Sequence, residues 1–399
     1  MIQTAGNRGE GVRSDCSVSL QTESVQETEV RITSKVNSIY GHSIMELCHD
    51  ILKFYSITHA RLEIEDTGAL PFTIAARLEA VVRKCIKTDK NYLFPVHSDH
   101  HYLTPRDRDR FTRLYLPGNN PKLMINAGIY GADGIILDLE DSVAPDRKYE
   151  ARFLVRNALR CVDFYGAERM VRINQLPAGL DDLQFCVNQG VHVILIPKCE
   201  NAAQVLSVDQ AIADLLGGKN EYIHLMPIIE SAAGVMHAFE IACSSKQIVA
   251  LAIGLEDYTA DIGAQRTTEG SESFYARSVI VNAARAAGIQ PIDSVFSDVD
   301  DMEGLAGTVK KSKALGFAGM GCIHPRQVQV IRDNFLPDTG ECDKARKIVQ
   351  AFDDAEKAGS GVVSLNGKMI DPPVVKRALK TIERAVKCGL IPEDWRTAP

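Results

Sequence analysis

Eight short apolar runs alternate with stretches of helical character through the middle of this chain, and that rhythm limits its fold more than any other feature. The runs fall at residues 114–116, 134–139, 170–174, 191–197, 223–229, 248–254, 292–296 and 317–323. Between them, residues 121–130, 148–161, 180–189, 202–216, 234–244, 275–287 and 301–315 carry helical character. Strands that alternate with helices pair in parallel, because each helix carries the chain back to the start of the next strand. Eight such units predict a (β/α)8 TIM barrel. A doubly wound open sheet is the alternative, but no GxGxxG motif follows the first strand.

Acidic residues stand where several of these runs stop. Asp138, Glu140 and Asp141 end IILDLEDSV, Glu230 ends LMPIIESAAG, and Asp257 ends IVALAIGLEDYT. In a barrel this places carboxylates at the C-terminal ends of the strands, the face where barrel enzymes keep their chemistry. Glu230 and Asp257 lie 27 residues apart, about one βα unit. They are therefore expected on adjacent strands, forming a two-carboxylate site for Mg²⁺ completed by water and substrate oxygens. The plainer alternative is capping of the following helices or salt bridging. Arg172 lies on an otherwise apolar strand, where it either binds a carboxylate or enolate or pairs internally with the 138–141 acidic group. Arg113, Glu140, Asp141 and Lys198 complete the candidate substrate-binding set. The PGNNP turn after the first strand offers backbone amides to a phosphate or thioester oxygen, or is an ordinary β-to-α turn.

Outside the barrel, residues 1–86 read as a small α+β domain with strands near 16–20, 29–32 and 60–65 and helices near 43–55 and 71–87. Residues 87–110 are polar and proline-containing and read as a linker or docking arm. Its His97, His100 and His101 offer imidazole ligands, but no accompanying cysteine or carboxylate pattern supports a metal site. The barrel is assigned to residues 111–336. Residues 337–399 read as an arm that packs on a neighbouring subunit, with Asp371 just before two prolines and a last helix. That aspartate is a turn former or a proton donor at a neighbour's rim.

Lys and Arg total 45 against 52 Asp and Glu, a net charge of −7 without a basic tract, which disfavours nucleic acid and anionic membranes as partners. The ten cysteines form no CxxC pair, the N-terminus has no apolar signal core, and no apolar run approaches a membrane span. A reducing, cytoplasmic location is expected.

In order, RLYLPGNNP, YGADGIILDLEDSVAPDRKYEAR, VRINQLPAGLDDL, VILIPKCENAAQV, IIESAAGV, ALAIGLEDYTADIGAQRT, IDSVFSDVDDMEGL and GCIHPRQV resemble the citrate lyase β-subunit and the wider aldolase/citrate lyase (HpcH–HpaI) superfamily. The resemblance implies a Mg²⁺-dependent carbon–carbon lyase acting on a CoA or carrier thioester, assembled as a homotrimer or homohexamer. It puts the metal carboxylates on Glu230 and Asp257, the substrate-orienting arginine on Arg172, and an aspartate contributed across a subunit boundary on Asp371. The chain departs from the family at Met320, where a lysine is usual.

The N-terminal stretch EIEDTGALPFTIAARLEAVVRKC resembles the citrate lyase γ-subunit, an acyl carrier, through Asp66, Gly68, Ala69, Leu70, Arg77 and Glu79. Pro71 replaces an acidic residue of that motif, and Arg13 stands where the family's modified serine would be. Ser14, beside it, is the candidate for a phosphopantetheine-type group. The resemblance also implies an α-type transferase subunit as a partner. Two other readings stay open: a non-catalytic docking subunit, and a metal aldolase acting on free oxo acids.

Overall fold

The computed structural model describes residues 2–22, 26–357, 359, 361–365 and 367–396. A four-stranded sheet comes first, in the order β1-β2-β4-β3, built from β1 (Ile2–Gly6), β2 (Cys16–Thr22), β3 (Glu29–Ser34) and β4 (Ala60–Asp66). Helix α1 (Asn37–Phe54) precedes β4, and α2 (Pro71–Cys85) follows it. Strand β2 alternates as a half-buried strand should: Cys16, Val18 and Leu20 are buried, and Ser17 and Ser19 lie on the open face. Strand β1 is not among the expected elements, since IQTAG shows too little apolar alternation to mark it.

Eight parallel strands then close a barrel: β5 (Thr112–Pro117), β6 (Gly134–Asp138), β7 (Glu168–Arg172), β8 (Val193–Ile196), β9 (His224–Ile229), β10 (Ala250–Ile253), β11 (Gln290–Asp293) and β12 (Gly319–Cys322). The last pairs with the first, Gly321 facing Arg113 in register. The connecting helices are α3 (Pro121–Met124), α4 (Lys148–Cys161), α5 (Gly179–Leu183), α6 (Ala202–Leu215), α7 (Ala232–Met236), α8 (Ala238–Cys243), α9 (Leu255–Asp261), α10 (Ser271–Ala286), α11 (Met302–Leu315) and α12 (Pro325–Phe335). The barrel interior is filled by Ile136, Met170, Val193, Leu195, Met226, Ile228, Ala250, Ala252 and Ile292. The open-sheet alternative is thereby excluded. The stretch expected as one helix over 234–244 is split at His237, and that over 180–189 shrinks to α5.

Two features tie the N-terminal domain and the segment after it to the barrel. The first is α2, whose residues Phe72 to Val82 are all buried, because it lies between its own sheet and α4 of the barrel. Charged groups cross this seam. Arg77 holds Asp15 through Nε and Nη2 at 3.1 and 2.9 Å, lies 3.4 Å from Glu150 on α4, and donates to the Asn119 carbonyl at 2.9 Å. Arg156 on α4 grips both Glu79 oxygens at 2.9 and 2.5 Å. All four charged partners, Arg77, Glu79, Glu150 and Arg156, are buried.

The second is the segment 87–110, which docks on the barrel. It runs as a strap across the N-terminal ends of the barrel strands. Arg110 forms a bidentate pair with Glu168 of β7 at 2.7 Å, and Thr104 donates to the same carboxylate at 2.6 Å. Tyr102 covers Arg169, whose guanidinium lies 4.7 Å from the ring centre. Burial pushes His100 down to about 4 and His192 to about 3, so both are neutral packing groups at pH 7. Among the described residues no group of three His, Cys, Asp or Glu side chains is arranged to hold a metal.

The C-terminal arm comprises α13 (Thr339–Lys357), a hairpin of β13 (Val363–Leu365) and β14 (Lys368–Ile370), and α14 (Pro372–Lys387). It has a small core of its own around Ile348, Val349, Ile370, Val375 and Ile382. It touches its own barrel through Arg384, 5.4 Å above the Phe111 ring, and Lys387, 2.8 Å from Asp109. No helix among the described residues is long and apolar enough to cross a membrane.

Candidate active site

The barrel's C-terminal mouth opens into a cavity of about 370 Å³ whose walls include Arg113, Tyr115, Arg172, Glu230, Asp257 and Ser294. Four of these six belong to the set expected from sequence. Glu230 follows β9 and Asp257 lies in the first turn of α9, after β10, so adjacent strands deliver them to one rim.

Glu230 is buried and accepts one backbone hydrogen bond, from Lys198 N–H at 2.9 Å. The contact comes with backbone strain at Lys198, whose φ of 46° lies in the left-handed region that a non-glycine residue seldom occupies. Gly254 is required here by close approach: a Cβ on it would lie 2.3 Å from Glu230 Oε1. Burial pushes the Glu230 carboxyl up to about 7, with Asp257 and Glu140 adding to the rise and the Lys198 N–H and Arg172 opposing it. A buried carboxylate facing a second carboxylate is short of positive charge, and a hard divalent cation supplies it. The donor set, two carboxylates from adjacent strands with space for water and substrate oxygens, fits Mg²⁺.

Arg172 meets the acidic cluster as the internal-pair alternative required. Its Nε and Nη2 donate to the two Asp138 oxygens at 2.7 and 2.8 Å. Its Nη1 lies 2.7 Å from Glu140 and 3.7 Å from Asp141. Burial works against the guanidinium charge, but the hydrogen bonds to Asp138 outweigh it and the net shift is upward. The same bonds hold Asp138 below the ordinary carboxylate range although burial raises it. A guanidinium has five N–H donors, and only two are donated here, so Arg172 keeps donors for a substrate oxygen. Its positive charge also lies 5.3 Å from the Tyr115 ring centre.

Lys198, a candidate substrate-binding residue, reaches across the rim to Asp257 at 3.3 Å and Glu140 at 3.8 Å. Glu200 accepts from Ser231. Glu140 is anchored by Gln175 at 3.1 Å, and its carboxyl is raised, mainly by burial. Asp141 is half exposed at the edge. The PGNNP turn is not the anion cradle that its amides suggested: Gly118 and Asn120 donate to the Asp138 and Pro117 carbonyls. Met320 sits buried on β12 and lends the rim no charge. Asp371 caps α14 through Val374 N–H at 3.2 Å and does not line this chain's own cavity. Ser14 is half-buried at a φ of 57°, next to the buried Asp15 that Arg77 holds.

Sequence reading missed Tyr115 and Ser294. Tyr115 stands two residues after Arg113 on one strand, so period-two alternation was the available signal. Ser294 accepts from Leu255 N–H at 3.1 Å and fixes the start of α9, a contact without a local signature.

Comparison with known proteins places the chain in a family. Residues 112–325 match the HpcH/HpaI aldolase/citrate lyase family, and residues 7–85 match the malonate decarboxylase delta subunit (MdcD) family of acyl carrier proteins. The chain is 41% identical to citrate lyase subunit beta of Leuconostoc mesenteroides subsp. cremoris over 284 residues, 70% of this chain and 94% of that protein. It is 33% identical to the human mitochondrial citramalyl-CoA lyase over 303 residues, 72% of this chain and 88% of that one. The crystal structure of CitE from Mycobacterium tuberculosis in complex with magnesium, acetoacetate and coenzyme A superposes with a TM-score of 0.60 at 30% identity, covering 70% of this chain and 99% of that one. The chain belongs to the HpcH/HpaI aldolase/citrate lyase family, with an acyl-carrier-like domain fused ahead of its barrel.

Proposed function

We propose that this protein is a Mg²⁺-dependent carbon–carbon lyase that cleaves a 3-hydroxyacyl thioester to a 2-oxo acid and an acyl thioester by retro-Claisen chemistry. The observation that carries this reading is Glu230, a buried carboxylate with one backbone donor, beside Asp257 and Arg172 in one cavity. Glu230 and Asp257 are the residues that would hold Mg²⁺, which when bound supplies Lewis acidity toward the oxygens of the nascent oxo acid. The named relatives, lyases acting on citrate, citramalyl-CoA and malyl-CoA, support the same class.

The reaction breaks the bond between the carbinol carbon and the carbon next to the thioester. The electron pair passes to the thioester, whose oxygen gains negative charge. The undonated N–H groups of Arg172 are the donors for that oxygen, preorganised by the Asp138 clamp. Overall, one proton leaves the hydroxyl and one arrives at the enolate carbon. We assign the second to Asp371 of a neighbouring subunit in a homotrimer or homohexamer, since Asp371 does not line its own cavity. Arg113, Glu140, Asp141 and Lys198 would contact substrate or hold the groups that do.

Incubation with Mg²⁺ and a panel of citryl-, citramalyl- and malyl-CoA should release a 2-oxo acid from at least one ester and release none after EDTA treatment. Activity that survives EDTA removes the metal from the scheme. Asp371→Ala should lower turnover by about 10²-fold, the usual contribution of a positioned general acid, without changing thermal stability by more than the loss of one helix cap. Undiminished turnover removes Asp371. The fused carrier domain is suited to a tethered thioester delivered by an arm on Ser14, with an α-type transferase subunit as its source. Intact mass of the protein from its native host should show a phosphopantetheine-type adduct, and an unmodified mass leaves free CoA esters as the substrates.

A further inference from the structure

We propose that Arg113 is the specificity-determining residue of the cavity: it binds a second carboxylate on the oxo-acid half of the substrate, so the preferred thioester carries a carboxymethyl group on its carbinol carbon. This rests on the lyase reading above and narrows it to one substrate class.

Arg113 points into the barrel from β5 and is 1% exposed. It forms no ion pair among the described residues. Its Nη1 meets only the Met226 sulfur at 3.2 Å, and its Nε has no hydrogen-bond partner. The nearest acidic candidate on the neighbouring layer, Glu168, has both oxygens committed to Arg110 and Thr104. A guanidinium taken out of water without a counter-ion is unfavourable, and burial accordingly pulls Arg113 down to about 10.

The surroundings are built to accommodate this side chain. Arg113 stands in register with Gly134 on β6 and Gly321 on β12. A Cβ at Gly134 would lie 2.6 Å from the Met170 methyl and 3.4 Å from Arg113 Cγ, and one at Gly321 would lie 2.8 Å from Val295 and 3.1 Å from the Tyr115 ring. Gly134 thus makes room chiefly for Met170, with the arginine stem in contact beside it, and Gly321 makes room for Val295 and the tyrosine. The head group reaches the reacting layer: Met226, which Nη1 touches, is in register with Leu195, and Leu195 with Arg172. Tyr115 also lines the cavity, and its hydroxyl makes no hydrogen bond among the described residues.

The charges of the cavity then sort themselves. Arg172 is committed to Asp138 and Lys198 to Asp257. Glu140 and Asp141 share these same two cations, so among the described residues Glu230 is the carboxylate of the site with no cationic partner and Arg113, deeper in, the cation with no anionic one. A ligand that satisfies both has a metal-chelating hydroxy-carboxylate at one end and an anionic group at the other. The substituent on the carbinol carbon can be hydrogen, methyl or carboxymethyl, and only the last brings the missing charge. Arg113 binds it through its planar fork, and Tyr115 donates to the same group.

The test uses the full-length protein with magnesium present. Equilibrium binding of oxaloacetate and of pyruvate is measured by calorimetry, and cleavage of citryl-CoA and citramalyl-CoA by 2-oxo acid release, for wild type and Arg113→Met. Wild type should favour the carboxymethyl member of each pair. Arg113→Met should reduce that preference roughly a hundredfold, the scale of losing one charge from a desolvated pair. Its thermal stability should not fall, since an unpaired buried charge has been removed. A wild type that binds pyruvate as tightly as oxaloacetate overturns the proposal, as does a preference that Arg113→Met leaves intact. If Arg113→Met does not fold, Arg113→Lys carries the test: a preference reduced about tenfold supports the role of the fork, and an unreduced one overturns it. If neither ester is cleaved but the oxaloacetate preference depends on Arg113, the carboxylate site stands and the lyase reading falls.

Discussion

Glu230→Gln should lower kcat/KM for thioester cleavage by at least about 10³-fold, the several kcal/mol that Lewis-acid stabilisation supplies, while leaving the metal-free protein at least as resistant to urea as wild type. The two halves of this expectation have one cause. The substituted glutamine keeps the shape of the side chain and an oxygen for the Lys198 N–H, so the rim is preserved. It loses the charge that a divalent cation needs. That charge is also what the fold tolerates poorly, because burial raises the Glu230 carboxyl from 4.5 to about 7. A raised folded value means that the fold favours the protonated form. The resulting stability is fully present below about 4.5 and is lost as pH rises through about 7. At pH 8, therefore, the metal-free wild type holds an unfavourable buried charge that the glutamine variant lacks. Added Mg²⁺ should reverse the order by stabilising wild type alone. Equal activity of the variant, or a destabilised metal-free variant, would show that Glu230 is a structural carboxylate.

Arg156→Ala should cost about 3 kcal/mol of unfolding free energy in urea, the low end of the range for stranding a buried charge. Glu79, fully buried on α2, would lose both bonds from Arg156 and keep Arg83 at 3.5 Å and the neighbouring Tyr55 hydroxyl. The Asn91 side chain and the Tyr92 carbonyl would lose a donor as well. Adding Glu79→Gln should recover about 1–2 kcal/mol by removing the stranded charge, so the second substitution stabilises the first. Two losses that simply add would mean that the ion pair does not couple the carrier-like domain to the barrel. The coupling bears on function, because α4 leaves the loop that carries Glu140 and Asp141, and Arg77 holds the Asn119 carbonyl at the first βα turn. The fused domain is therefore part of the support of the rim and not a bead on a flexible tether.

The barrel was legible because its strands are short, apolar and regularly spaced. Glu230 and Asp257 were legible because strand ends in a barrel share one face. The partners of the charged residues were not. Arg172 stands out as an anomaly on an apolar strand, but its clamp on Asp138 joins residues 34 apart, and the Arg156–Glu79 pair joins residues 77 apart. Nothing in local pattern encodes such distances. Polar composition left residues 87–110 open between a linker and a docking arm; Arg110 and Thr104 are buried because the barrel base offers Glu168 as a partner, and His100 is buried by packing against Phe164. The pairing of Lys198 with Asp257 is of the same kind: it depends on the mouth of the barrel closing, which sequence spacing alone does not reveal.

Whether Glu230 and Asp257 together hold one magnesium ion beside Arg172 is tested most directly by calorimetric titration of Mg²⁺ into the metal-free protein with oxaloacetate present. One site per chain is expected, lost in both Glu230→Gln and Asp257→Asn. Binding that survives either substitution unweakened would contradict the shared site.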